Sequence, residues 1–137
     1  MDSLIIRALN ENDYEEILTG WWTQWGWKAP FQDFLPDNGK GGLLVLDGDI
    51  PVCAGFMYLT NSRVAWVDWI ISNKEYTNRA GRKEALRLLV DSLTNICKST
   101  GAKYVYALIK NESLIKTYEE IGYLKGDSYT NEMIKVL

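Results

Sequence analysis

The most ordered block of apolar and polar positions runs from Val64 to Cys97. Val64-Ala-Trp-Val-Asp-Trp-Ile-Ile71 is apolar except at Asp68, the pattern of a buried strand. A polar loop, Ser72 to Asn78, leads into Arg79-Ala-Gly-Arg-Lys83, and apolar residues then fall at 85, 86, 89, 90, 93, 96 and 97. That spacing is the stripe of an amphipathic helix. A strand, a loop with a basic end and a long helix therefore form the centre of the chain.

The flanking segments read in the same way. Ser3 to Leu9 predicts a first strand. Asn10 or Asn12 is placed to cap a helix over Asp13 to Leu18, with Asp13, Glu15 and Glu16 in its first turns. Leu18, Trp21, Trp22 and Trp25 continue the helical spacing, and Pro30, Pro36 and Asp37 to Gly42 mark an irregular connection. Leu43 to Leu46 and Val52 to Leu59 predict two strands joined by a turn at Asp47-Gly48-Asp49. After the long helix, Gly101 suits a left-handed cap and Lys103 to Ile109 predicts another strand. Asn111 then caps a short helix with Leu114, Ile115, Tyr118 and Ile121 on one face, and two last strands are predicted around Tyr123 to Lys125 and Tyr129 to Val136. No linker, repeat or low-complexity tract divides the chain, so 1–137 reads as a single α/β domain.

Composition narrows the function classes. The net charge of −3 argues against general nucleic-acid affinity. No apolar run approaches the ~20 residues that span a bilayer, and the N-terminus lacks a signal-peptide layout. Cys53 and Cys97 both lie in apolar segments, so a reducing cytoplasmic setting is expected. The absence of histidine removes Ser–His and Cys–His nucleophile pairs and argues against zinc, so no metal is expected.

The candidate chemistry clusters around the central block. A helix start carries free N–H groups and partial positive charge, and here Arg79, Arg82 and Lys83 add formal charge. A phosphorylated ligand would satisfy that turn, whereas a solvated helix start would leave the cations opposing the dipole. Gly39-Lys40 is not a phosphate loop, because the motif's first Gly and its Ser/Thr are missing. Asp68 within an apolar strand needs a reason: a hydrogen bond or ion pair to a neighbouring strand, or service as a base. Trp21, Trp22, Trp25 and Trp27, four indoles within seven residues, are either core or part of a site.

Two segments resemble the GCN5-related N-acetyltransferase superfamily. Asn111-Glu-Ser-Leu-Ile-Lys-Thr-Tyr118-Glu-Glu-Ile-Gly122-Tyr123 is similar to its Asn-x-x-Ala-Ile-x-Leu-Tyr-x-x-x-Gly-Phe segment. Asn78-Arg-Ala-Gly81-Arg-Lys83 resembles a degenerate form of its pyrophosphate-binding turn, with Asn at the first position and Lys83 for the second glycine. The element order is similar over nearly the whole chain.

The resemblance implies a mixed, mostly antiparallel sheet of six or seven strands with about four helices, splayed between 64–71 and 103–109 to admit acetyl-CoA. Asn78, Arg79, Ala80, Gly81, Arg82 and Lys83 would hold the pyrophosphate, Asn111 the pantetheine arm, and the N–H groups near Ile70 and Ile71 the thioester carbonyl. Tyr118 would protonate the departing thiolate, unless it is only a core residue. Asp68 would act as base and, with Trp22 and Trp25, hold a small-molecule or peptide amine. The acidic stretch Asp13 to Glu16 and the tryptophans point to a cationic, polyamine-like or lysine-like acceptor. The implied activity is acetyl transfer to a primary amine in a ternary complex, by a monomer or homodimer. The alternative is a catalytically degenerate domain that binds CoA or a protein partner.

Overall fold

The computed structural model describes residues 3–137. Five strands form one sheet in the order β1 (Leu4–Ala8), β2 (Gly42–Asp47), β3 (Ile50–Leu59), β4 (Val64–Ser72) and β5 (Tyr104–Tyr106). β1 to β4 pair antiparallel, and β5 returns parallel to β4 after the long helix α2 (Arg79–Ser99). A π-helical turn at Tyr14–Leu18 runs into α1 (Thr19–Gln24), and α3 (Glu112–Glu120) follows β5.

Each face of the sheet carries its own core. α2 lays Ala85, Leu89, Val90, Leu93 and Cys97 against Val45, Val52, Ala65 and Val67, as its apolar stripe requires. The other face buries Leu18, Trp21, Trp22 and Leu35 against Leu44, Ala54, Phe56 and Ile71. α2 opens where Asn78 Oδ1 accepts from Gly81 N–H at 3.0 Å, and it is followed by Gly101 at φ +102. Asn111 caps α3 in the same way through Leu114 N–H at 2.9 Å.

Several expectations are corrected. Among the described residues the sheet has five strands rather than six or seven, and three α-helices stand where about four were expected. Tyr123–Lys125 and Tyr129–Val136 form no strands, and Leu124 to Leu137 are exposed throughout. A segment becomes a strand only where a neighbouring edge supplies hydrogen bonds and cross-strand contacts, and among the described residues no other strand pairs with this one. The fifth strand is also shorter than 103–109, because its pairing with β4 covers only Val64–Trp66 against Tyr104–Tyr106.

Candidate active site

The short β4–β5 ladder leaves the far half of β4 open on its β5 side. After Trp66 pairs with Tyr106, β4 continues to Ser72 with no partner from β5. Just past that point a bulge interrupts β4 on its other side: Phe56 pairs with Asp68 and Ala54 with Ile71, leaving Trp69 and Ile70 opposite Gly55. Trp69 adopts φ +56, a left-handed conformation that bulky residues rarely take. Asp68 Oδ1 accepts from its N–H at 3.1 Å, and its ring makes edge contacts with Trp22 and Phe34. Strain of this kind is held by surrounding structure and concentrates at functional sites.

Asp68 and the Tyr118 hydroxyl both lie where the strands part, bonded to different backbone groups. Asp68 Oδ2 accepts from Leu108 N–H at 3.2 Å, so the carboxyl bridges the gap between β4 and the chain beyond β5. Burial pushes its pKa up, opposed by the Leu108 and Trp69 N–H groups. Among the described residues it has no ion-pair partner. Tyr118 is buried on α3, and its hydroxyl donates to Val67 O at 2.9 Å, one residue before Asp68. Burial, then the charge of Asp68, raises the Tyr118 pKa, so the phenol rests in its neutral form. Sequence reasoning left a hydrogen bond or ion pair to a neighbouring strand, or service as a base, as alternatives for Asp68; the carboxyl accepts from Leu108, in the chain just past β5, and forms no ion pair among the described residues.

The basic turn divides into two kinds of residue. Arg79 and Lys83 are exposed at the start of α2 and form no ion pair among the described residues. Arg82 instead turns back into the loop, donating to Asn73 O at 2.8 Å and to Tyr76 O, with Nε buried and unpartnered. Gly81 is fixed by packing, since a Cβ there would run into the Tyr76 hydroxyl and the Asn78 side chain. Tyr76 in turn donates to Asp47 at 2.7 Å, tying the turn to the end of β2. Ala80 is exposed beside them. Free N–H groups, two unpaired cations and an open strand edge fit an anionic ligand with a long arm.

The tryptophans separate likewise. Trp22 is 3% exposed and backs Trp69 at 6.4 Å, so it lies in the core instead of walling an opening. Trp25 donates its indole N–H to Ser72 O at 2.8 Å, at the far end of β4 from the strand pairing. Lys74 and Arg82 lie over its ring at 5.2 and 5.9 Å, and Trp27 stacks on it at 5.6 Å. Trp25 therefore belongs to the basic end of the edge, away from Asp68. Asp13 is 3% exposed and clamped by Arg7 at 2.8 and 2.9 Å, which removes it from any acidic opening.

Cys53 and Cys97 are buried, and burial pushes both thiols upward. Neither is poised as a nucleophile. Surface cavities of about 540 Å³ beside Glu84, Arg87 and Glu120, and about 400 Å³ beside Asn61 and Gly101, include neither Asp68 nor Tyr118 in their linings. Among the described residues no cluster of metal-ligating side chains occurs, and no helix is long and apolar enough to cross a membrane.

No family model matches the chain, and no curated protein matches it in sequence. Solved structures do match in fold. An aminoglycoside acetyltransferase from an uncultured soil metagenomic sample, in complex with sisomicin, superposes with a TM-score of 0.69 over 98% of this chain and 97% of its own, at 12% identity. Glucosamine-6-phosphate N-acetyltransferase from Arabidopsis thaliana gives 0.65 over 96% and 99%, at 13% identity. A GNAT family acetyltransferase from Staphylococcus aureus gives 0.58 over the same shares, at 18% identity. The fold is that of the GCN5-related N-acetyltransferases. Along the open edge of β4, Asp68 and the Tyr118 hydroxyl lie at the end nearer β5, and the basic turn follows beyond the other end at Ser72.

Proposed function

We propose that the protein transfers an acetyl group from acetyl-CoA to a primary amine. The observation that carries this reading is the end of the β4–β5 ladder at Trp66 and Tyr106, next to the Tyr118 hydroxyl and the Asp68 carboxyl. Acetyl-CoA supplies an acetyl group activated as a thioester. Arg79 and Lys83, with the first N–H groups of α2, would hold its phosphates, and Asn78 and Gly81 shape that turn. Arg82 supports it from behind by fixing the 73–76 loop. The β4 edge near Ile70 and Ile71 would receive the thioester, with backbone N–H groups stabilising charge on its oxygen. Asn111 caps α3 and so sets the position of Tyr118.

The amine reaches the site as an ammonium and must shed a proton before it attacks. Asp68 takes that proton; its raised pKa makes it a better base than an exposed carboxylate. The nitrogen lone pair then forms the N–C bond, and the C–S bond breaks with its electron pair going to sulfur. Tyr118 gives its proton to sulfur and is reprotonated as the nitrogen sheds its second proton. The products are an N-acetyl amine, CoA thiol and one proton released to water. Placing both reactants on one strand edge contributes much of the acceleration.

The test is release of CoA thiol from acetyl-CoA in the presence of a panel of amines. Amine-dependent release by the wild type, strongly reduced in Asp68→Asn, supports the reading. Binding of CoA with no turnover of any amine would favour the non-catalytic alternative, a CoA-binding domain.

A further inference from the structure

The face of the sheet that carries Asp68 also carries a row of aromatic rings. Tyr58 on β3 is the register partner of Trp66 on β4, which is the partner of Tyr106 on β5. Directly paired residues share a face, and the Trp66 and Tyr106 ring centroids lie 4.5 Å apart. The adjacent row on this face is Phe56, Asp68 and Leu108, with Asp68 opposite Phe56 and bonded to Leu108 N–H. Two residues of strand separate the rows, about 6–7 Å. No residue of β5 belongs to the core under α1, and Tyr106 and Leu108 are 43% and 57% exposed. Tyr58 closes one side by donating to Phe34 O at 3.0 Å, and burial followed by the nearby Asp68 charge pushes its pKa up to about 12.

Charge and polarity on these two rows select among amines. Asp68 is the only charged side chain in either row, so one ammonium is matched. A second ammonium, as in a polyamine, would meet ring faces but no carboxylate. An amino sugar would bring hydroxyls against Leu108 and Trp66, which offer no acceptors to replace water. An aryl group would bury apolar area on all three rings and stack against them.

We propose that the acceptor is a monocationic arylalkylamine, with its ammonium at Asp68 and its ring on the Tyr58–Trp66–Tyr106 row. A short alkyl tether spans the two rows. This rests on the transferase reading above, and it assigns Tyr58, Trp66 and Tyr106 as specificity-determining residues.

The test measures kcat/KM at saturating acetyl-CoA for tryptamine, 2-phenylethylamine, propylamine, spermidine and glucosamine. The aryl amines should exceed propylamine by roughly tenfold or more, the worth of one good stacking contact with burial. Trp66→Ala should reduce the tryptamine-to-propylamine ratio by roughly tenfold, and Tyr106→Ala by a smaller factor because its ring is partly in solvent. The ratio is taken on one preparation, so a partly unfolded variant does not distort it, and Tyr106 on the edge strand provides a second variant if Trp66→Ala fails to fold. Spermidine or glucosamine turned over as well as the aryl amines, or ratios unmoved in both variants, would overturn the proposal and leave the transferase reading standing. If no amine is acetylated, both fall together.

Discussion

Replacing Tyr118 by Phe removes a single oxygen from a side chain that is 2% exposed. The ring stays, and with it the edge contact to Tyr123 at 4.8 Å. What is lost is the hydroxyl that donates to Val67 O at 2.9 Å. A buried carbonyl deprived of its donor costs about 1–3 kcal/mol. For a domain of this length each kcal/mol moves Tm by roughly 3–5 °C, so calorimetry should show a fall of roughly 3–15 °C. Thiol release should fall by roughly 10²-fold in kcat, the lower end for loss of a general acid. Affinity for CoA should change little, because the hydroxyl points at backbone and not at the basic turn. An unchanged Tm would show that the Val67 bond carries no net energy. A lowered Tm with undiminished kcat would make Tyr118 a packing residue and refute its role as acid.

Other substitutions separate binding from support. Arg79→Ala with Lys83→Ala should leave the Tm of the free protein within about 1 °C, since neither side chain makes an ion pair there. The pair should nevertheless weaken or abolish the rise in Tm that CoA gives the wild type, about 2.7 kcal/mol of stabilisation at 100 times its Kd. Arg82→Ala should do the reverse, lowering the free protein's Tm through loss of its bonds to Asn73 O and Tyr76 O. Trp22→Ala should cost about 3–5 kcal/mol in urea unfolding as a core truncation, without changing acceptor KM in the fraction that folds. Asp13 gives a pH signature. Burial alone would raise its pKa, but the Arg7 hydrogen bonds, the Asn10 N–H and the Arg7 charge together hold it below the usual carboxylate range. Its folded pKa is depressed, so its contribution is present above the unfolded pKa of ~4 and is lost as pH falls through the folded value. Asp13→Asn should therefore flatten that part of the acid limb of the stability curve, and an unaltered limb would count against the Arg7 clamp.

What the sequence disclosed depended on how local each cause is. The stripe from Ala85 to Cys97, the cap at Asn111 and the stop at Gly101 all follow from residues a few positions apart, and all appear in the fold; the cap at Asn78 came only with the structure. Asp68 stood out because a lone carboxylate in an apolar strand always needs a partner. The inward turn of Arg82 was hidden, because it depends on which loop carbonyls lack donors. The left-handed backbone at Trp69 was hidden too, since no residue type there signals a bulge. Tyr58, Trp66 and Tyr106 come together only through the register of three strands, which the sequence pattern does not specify. The strand expected around Tyr129 to Val136 failed for the converse reason: a local run of residues does not report the neighbouring edge it must pair with.

The most direct test of the central claim is a crystal structure grown with CoA. The account predicts the pantetheine arm along β4 between Asp68 and Ser72, the sulfur near the Tyr118 hydroxyl, and the pyrophosphate at Arg79 and Lys83. CoA bound elsewhere, or a β4 edge that stays empty at millimolar CoA, would contradict it.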